Sequence, residues 1–157
     1  MAGMRTSLNL GALAAIVGLS LAACGGGGGG SVTPPAPCVL PATVQMIYPV
    51  PGSTGVPDNP QQFVFAESAY LPGSWNAYVN NANSLSGAIP TAATVHNITA
   101  AQVPQGSATP SPSLGTPVYQ SIALLNGFAA GQSIYVWLND TGSSCTPSGP
   151  VGSFTTQ

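Results

Sequence analysis

Basic residues are all but missing from this sequence: Lys and Arg together number one, and that one is Arg5. The acids are three, Asp58, Glu67 and Asp140, and there is a single His, His96. Phosphate backbones are held mainly by Lys and Arg, so the composition speaks against nucleic-acid binding. Steering to an anionic membrane surface is disfavoured for the same reason. Charged residues make up only 3 % of the chain and mean hydropathy is +0.30. Low charge with that hydropathy favours packed β-structure over disorder. Long apolar runs are also lacking. The longest, about residues 10–23, falls short of the roughly 20 residues a membrane span needs. No heptad and no internal repeat is visible. Long helices are disfavoured by 16 Pro and 20 Gly.

What is present begins with Arg5, an apolar stretch and then Leu21-Ala22-Ala23-Cys24. This is the layout of a secretory signal peptide, with an uncleaved anchor helix as the competing reading. A Cys directly after Leu-Ala-Ala resembles the lipobox of bacterial lipoproteins. That resemblance implies cleavage before Cys24, acylation of its sulfur with palmitate among the chains, and attachment to a lipid bilayer. Gly25 in place of Asp after the Cys implies the outer membrane of the cell envelope, if the cell is Gram-negative. The glycine run from Gly25 to Gly30 and the prolines Pro34, Pro35 and Pro37 then read as a flexible tether stiffened at its end. The expected organisation is a signal peptide at 1–23, a lipidated Cys and linker at 24–37, and one folded domain at 38–157.

With Cys24 assigned to lipid, Cys38 and Cys145 remain as an even pair in an exported chain, where disulfides persist. Two separate buried thiols are the alternative. Closing a loop of about 100 residues contributes about 4–5 kcal/mol on chain-entropy grounds.

The domain reads as short strands between turn signals, at about 43–48, 62–65, 75–80, 118–124, 133–139 and 151–155, with weaker candidates at 86–89 and 94–98. Seven or eight such strands predict an all-β sandwich. The clearest alternation sets Ile134, Val136 and Leu138 against Tyr135, Trp137 and Asn139. Trp75 reads as a core residue on the third strand. Residues 99–117 are rich in Pro, Ser, Thr and Gln, and predict a mobile surface loop or a short strand near Gln102-Val103.

Tyr48-Pro49-Val50-Pro51-Gly52-Ser53-Thr54-Gly55-Val56-Pro57 followed by Phe63-Val64-Phe65 resembles the opening of bacterial Ig-like domains. Gly131 before an alternating strand, then Gly152-Ser153-Phe154-Thr155-Thr156, resembles their close. The resemblance covers both ends of the domain and implies a single Ig-like or fibronectin-III-like β-sandwich. It implies little about function. One departure stands out. The tyrosine corner would fall at Ile134, with Tyr135 next to it, so the corner is missing or a bulge shifts the register.

Chemistry has few candidates. A Ser-His-Asp arrangement would need His96 beside Asp58 or Asp140, and no G-x-S-x-G elbow occurs. Asp58 and Asp140 read as turn residues. Glu67 has no basic partner, and with one Asp it could form a glycosidase-like pair. Close metal-ligand spacing is absent, leaving only a weak calcium reading at Asp58 or Asp140. No cofactor is implied. The aromatics are more informative. If Ile134, Val136 and Leu138 face the core, Tyr135 and Trp137 face outward. If the third strand lies beside theirs, Tyr78 joins them in one patch ringed by Asn. Such a face suits a glycan or an envelope protein. A covering loop or plain cross-strand stabilisation are the alternatives. The leading expectation is a non-enzymatic structural or interaction module at the cell envelope. A carbohydrate-binding module comes second, separable by glycan binding, and a hydrolase third.

Overall fold

In a computed structural model of the chain, the residues described are 37–91 and 95–157. The signal peptide, Cys24 and the linker up to residue 36 lie outside them, as does Thr94. The described residues belong to one compact unit.

Eight strands form: β1 (Val44–Tyr48), β2 (Gln62–Glu67), β3 (Trp75–Asn80), β4 (Ile89–Pro90), β5 (Val95–Ile98), β6 (Val118–Ala123), β7 (Ser133–Asp140) and β8 (Gly152–Thr155). The first sheet has the order β1-β2-β6-β5 and the second β4-β3-β7-β8. Every pairing between them is antiparallel. This is the all-β sandwich expected, with the strand order of the immunoglobulin type.

Period-two alternation explains the core. Met46, Phe63 and Phe65 of the first sheet meet Trp75, Ile134, Val136 and Phe154 of the second in one buried cluster. Phe63, Phe128 and Phe154 form a ring triad, with centroids 5.8–6.4 Å apart. Aromatic pairs at such spacing add about 0.5–1.5 kcal/mol beyond area burial. The sheets approach closely at Gly152, where a Cβ would meet the Met46 sulfur at 2.7 Å.

A second apolar layer lies outside the first sheet. Ile47, Val64 and Ala66 point away from the core and pack against Leu114, Val103 and Ala108. The segment 99–117 is therefore neither a loose surface loop nor the host of a strand. It carries two 3-10 turns, Ala100–Gln102 and Pro112–Leu114. Ala108 N–H donates to Ile47 O at 2.9 Å and Ser111 N–H to Gln45 Oε1 at 2.8 Å. Three apolar contacts and these bonds hold the segment down.

The glycine-rich turn after β1 also has a definite role. Gly52 and Gly55 take φ of 78° and 70°, which glycine adopts without strain. The chain thereby crosses to the second sheet and runs alongside β8. Gly52 N–H donates to Ser153 O, Thr155 N–H to Ser53 O and Val56 N–H to Thr155 O, at 2.7–3.1 Å. The two end motifs are thus bonded to each other, and the free edge of β8 is covered. Between β7 and β8 the register advances without a bulge, and Ile134 is buried opposite Phe154. Of the two readings offered for Ile134, the missing tyrosine corner is the one observed.

Cys38 and Cys145 are joined by a disulfide across a sequence separation of 107, with Cα atoms 4.8 Å apart. Cys38 precedes β1 and Cys145 lies in the β7–β8 connection. Beside the bridge, Cys38 N–H donates to Thr146 O at 2.9 Å.

Candidate functional site

The aromatic face forms on the strands expected to carry it. In the β3–β7 register Tyr78 lies opposite Trp137, Asn80 opposite Tyr135 and Asn76 opposite Asn139. Ile134, Val136 and Leu138 are buried in the core, so Tyr135 and Trp137 sit on the other side of β7. The face is nevertheless not an open platform. Trp137 is 3 % exposed. Tyr78 and Tyr135 are half-buried. Tyr78 lies across the strand pair from the indole, and Tyr135 lies two residues along with ring centroids 6.0 Å apart. Segment 99–117 does not cover this face, because it packs on the other sheet.

The ionisable side chains are dispersed. His96 is exposed and sits opposite Ser121, on the outer side of the first sheet. Asp58 stands before β2, where its carbonyl accepts from Phe128 N–H at 2.6 Å. Asp140 ends β7 and accepts from Gly142 N–H at 2.9 Å, the local turn bond expected of it. Among the described residues no three His, Cys, Asp or Glu side chains gather as metal ligands.

Glu67 is fully buried. Its strand parity puts it inward with Phe63 and Phe65, at the end of the core. Leu71 N–H donates to Glu67 Oε2 at 3.2 Å and to Gln120 Oε1 at 3.3 Å. Gln120 Nε2 in turn donates to Leu71 O at 3.3 Å and Asn97 Oδ1 at 2.8 Å. Glu67 Oε1 has no partner among the described residues. Burial pushes this carboxyl up from 4.5 to about 7, against a smaller lowering by the Leu71 N–H. A group so enclosed cannot reach a glycosidic bond in solution, which removes the carboxylate-pair reading of Glu67. The alternation Phe63, Phe65, Glu67 was the sequence signal for its inward position.

An open groove was not foreseen. Two adjoining hollows of about 270 and 220 Å³ share Val79, Ile89 and Phe128 as walls. One continues to Asn81 and Gln132, the other to Leu124, Leu125 and Asn126. Ile89 and Leu125 are 67 % and 70 % exposed. The β6–β7 connection is pinned to the chain before β2: Gly127 lies so close to Asp58 that a Cβ would sit 2.8 Å from its carbonyl oxygen. Leu124 N–H donates to Gln61 O at 2.8 Å. Gln61 itself is held at φ 69°, a conformation that costs a non-glycine residue about 1–3 kcal/mol.

Among the described residues no helix is long and apolar enough to cross a membrane. No family model, no curated protein and no solved structure matches this chain.

Proposed function

We propose that this chain is a lipoprotein of the bacterial envelope, anchored through acylated Cys24, and that its Ig-like sandwich is a non-enzymatic interaction module. The observation that carries the module reading is the dispersal of its few ionisable groups. Asp58 and Asp140 stand at opposite ends of the strands, Glu67 is sealed in the core and His96 lies on the outer side of the first sheet. Acid–base and nucleophilic catalysis both need such groups within hydrogen-bond reach of one another. Export is supported by the Cys38–Cys145 bridge, which fits an oxidising compartment. Anchoring rests on Leu21-Ala22-Ala23-Cys24. Acyl chains contribute about 0.8 kcal/mol per buried CH₂, and two or more give stable attachment.

Two measurements test the reading. Replacing Cys24→Ser is expected to release the protein from membranes or leave it unprocessed. A Cys24→Ser protein that still fractionates as a mature membrane lipoprotein would overturn the anchor. Crosslinking in the native envelope, followed by mass spectrometry, is expected to give a reproducible partner at the domain surface. Loss of that crosslink with a folded domain carrying groove substitutions locates the contact.

A further inference from the structure

We propose that the groove between the β3–β4 edge and the β6–β7 connection binds a neutral oligosaccharide. The proposal rests on the reading of the domain as an interaction module and names the ligand class.

The lining excludes ionic ligands first. Among the described residues no Asp, Glu, Lys, Arg or His lines either hollow. The sequence after Arg5 holds no Lys or Arg at all. Nothing here would draw or neutralise a phosphate, carboxylate or ammonium group.

The groups that do line it match a sugar. The side-chain amides of Asn81, Asn126 and Gln132 make no hydrogen bond to other described residues. A carboxamide offers donors and an acceptor together, which suits hydroxyls that are also both. Phe128 is half-buried, backed by Phe63 and Phe154, and lines the groove together with Val79 and Ile89. A fixed ring with apolar neighbours provides the flat surface on which a pyranose face can lie. Strand addition by a peptide is the competing mode, and the edge is poorly made for it. β4 has two residues, and Pro90 has no N–H to donate.

The walls are preformed. Asn80 Nδ2 donates to Ser84 O at 2.7 Å and Ser86 O at 3.0 Å, closing the turn that leads to β4. On the facing side, Phe128 is tied to Asp58 and Leu124 to Gln61. A site built this way binds without first ordering its loops.

Placement agrees with this use. The chain enters the domain at Cys38, bridged to Cys145 beyond the C-terminal end of β7. Gln132 and Phe128 stand before its N-terminal end. At about 3.3 Å per residue the strand separates the two poles by roughly 25 Å. The groove therefore opens toward the pole away from the point where the tether joins.

The test is chemical-shift mapping on the full chain in detergent micelles, with amide and methyl labels. The probes are cellohexaose, chitohexaose and maltohexaose at millimolar concentration, with an uncharged Ser/Asn/Gly peptide in parallel. At least one saccharide is expected to shift the Val79, Ile89 and Leu125 methyls and the Asn126 and Gln132 side-chain amides. Asn126→Ala with Gln132→Ala is expected to weaken that binding about tenfold or more while leaving the melting temperature in place. The proposal is overturned if no saccharide shifts the groove, if the shifts fall on Tyr78 and Tyr135 instead, or if only the peptide binds. Should envelope crosslinking recover a partner while the saccharides leave the groove unmoved, the oligosaccharide proposal fails and the module reading stands. Failure of both removes both.

Discussion

Glu67 gives this domain a pH dependence of unusual simplicity. Its carboxyl is buried, it keeps its proton up to about pH 7, and the folded part of the chain has no Lys or Arg to compensate its charge. The unfolded chain loses the same proton near pH 4.5. Its contribution to stability is thus fully present below about 4.5 and is lost as the pH rises to about 7. The expected outcome is a melting temperature that falls across that window, measured by circular dichroism, and Glu67→Gln should flatten the fall. A wild-type melting temperature that rises from pH 5 to pH 7 would contradict this account of the carboxyl. That Glu67 lacks a cation was legible from composition alone. That it is buried was not, because the hydrophobic alternation of β2 was followed only as far as Phe65. Gly127 carries a second expectation at this scale. An added methyl would clash with the Asp58 carbonyl, a backbone atom that cannot turn aside. Gly127→Ala should cost about 1–3 kcal/mol in urea denaturation, by analogy with overpacking elsewhere.

Among the elements, those with period-two alternation were legible and the one without it was not. β3 spans the residues expected of it, and β2, β6, β7 and β8 differ by one or two at an end. In β3 (Trp75, Ala77, Val79) and β7 (Ile134, Val136, Leu138) apolar residues recur every second position, and that core-facing set fixes the register. Segment 99–117 offers Val103, Ala108 and Leu114 at irregular intervals among Pro, Ser and Thr, so no period announces that it packs. Its hydrophobic target was equally hidden: Ile47, Val64 and Ala66 read as the outer side of their strands, and only the paired sheet brings them together. Leu114 is 5 % exposed at the centre of that contact. Leu114→Ala should therefore destabilise the domain by about 2–5 kcal/mol, the range for buried aliphatic truncation. An unchanged denaturation midpoint would return 99–117 to the status of a loose loop. The aromatic strands teach a related limit. Direction across the sheet could be read from the alternation of β7, but depth could not, and Trp137 turns out buried.

For the molecule as a whole, the Cys38–Cys145 pairing was reached by counting, from reading the chain as exported and Cys24 as lipidated, which leaves an even pair. Intact-mass measurement after alkylation without reductant should find both thiols blocked. Reduction should then lower stability by about 4–5 kcal/mol for a loop of this length, if chain entropy dominates. The groove escaped sequence reading for the opposite reason. Its walls come from stretches around residues 79–91, 124–128 and 132–134, each of which alone looks like an ordinary strand end or turn. Only the sandwich places them side by side, and no spacing rule links them.

The bridge also decides how the domain carries load. A pull applied at Cys38 passes through sulfur directly to Cys145, so the β1–β2 ladder is spared from being unzipped one bond at a time. The residues between the two cysteines, separated by 107 positions, form a closed ring that tension cannot open. At roughly 3.5 Å per residue, about 370 Å of slack stays locked until the ring is cut. In an optical trap gripping the two chain ends, that length should appear only after reduction, and its appearance in the oxidised protein would show that force takes another route.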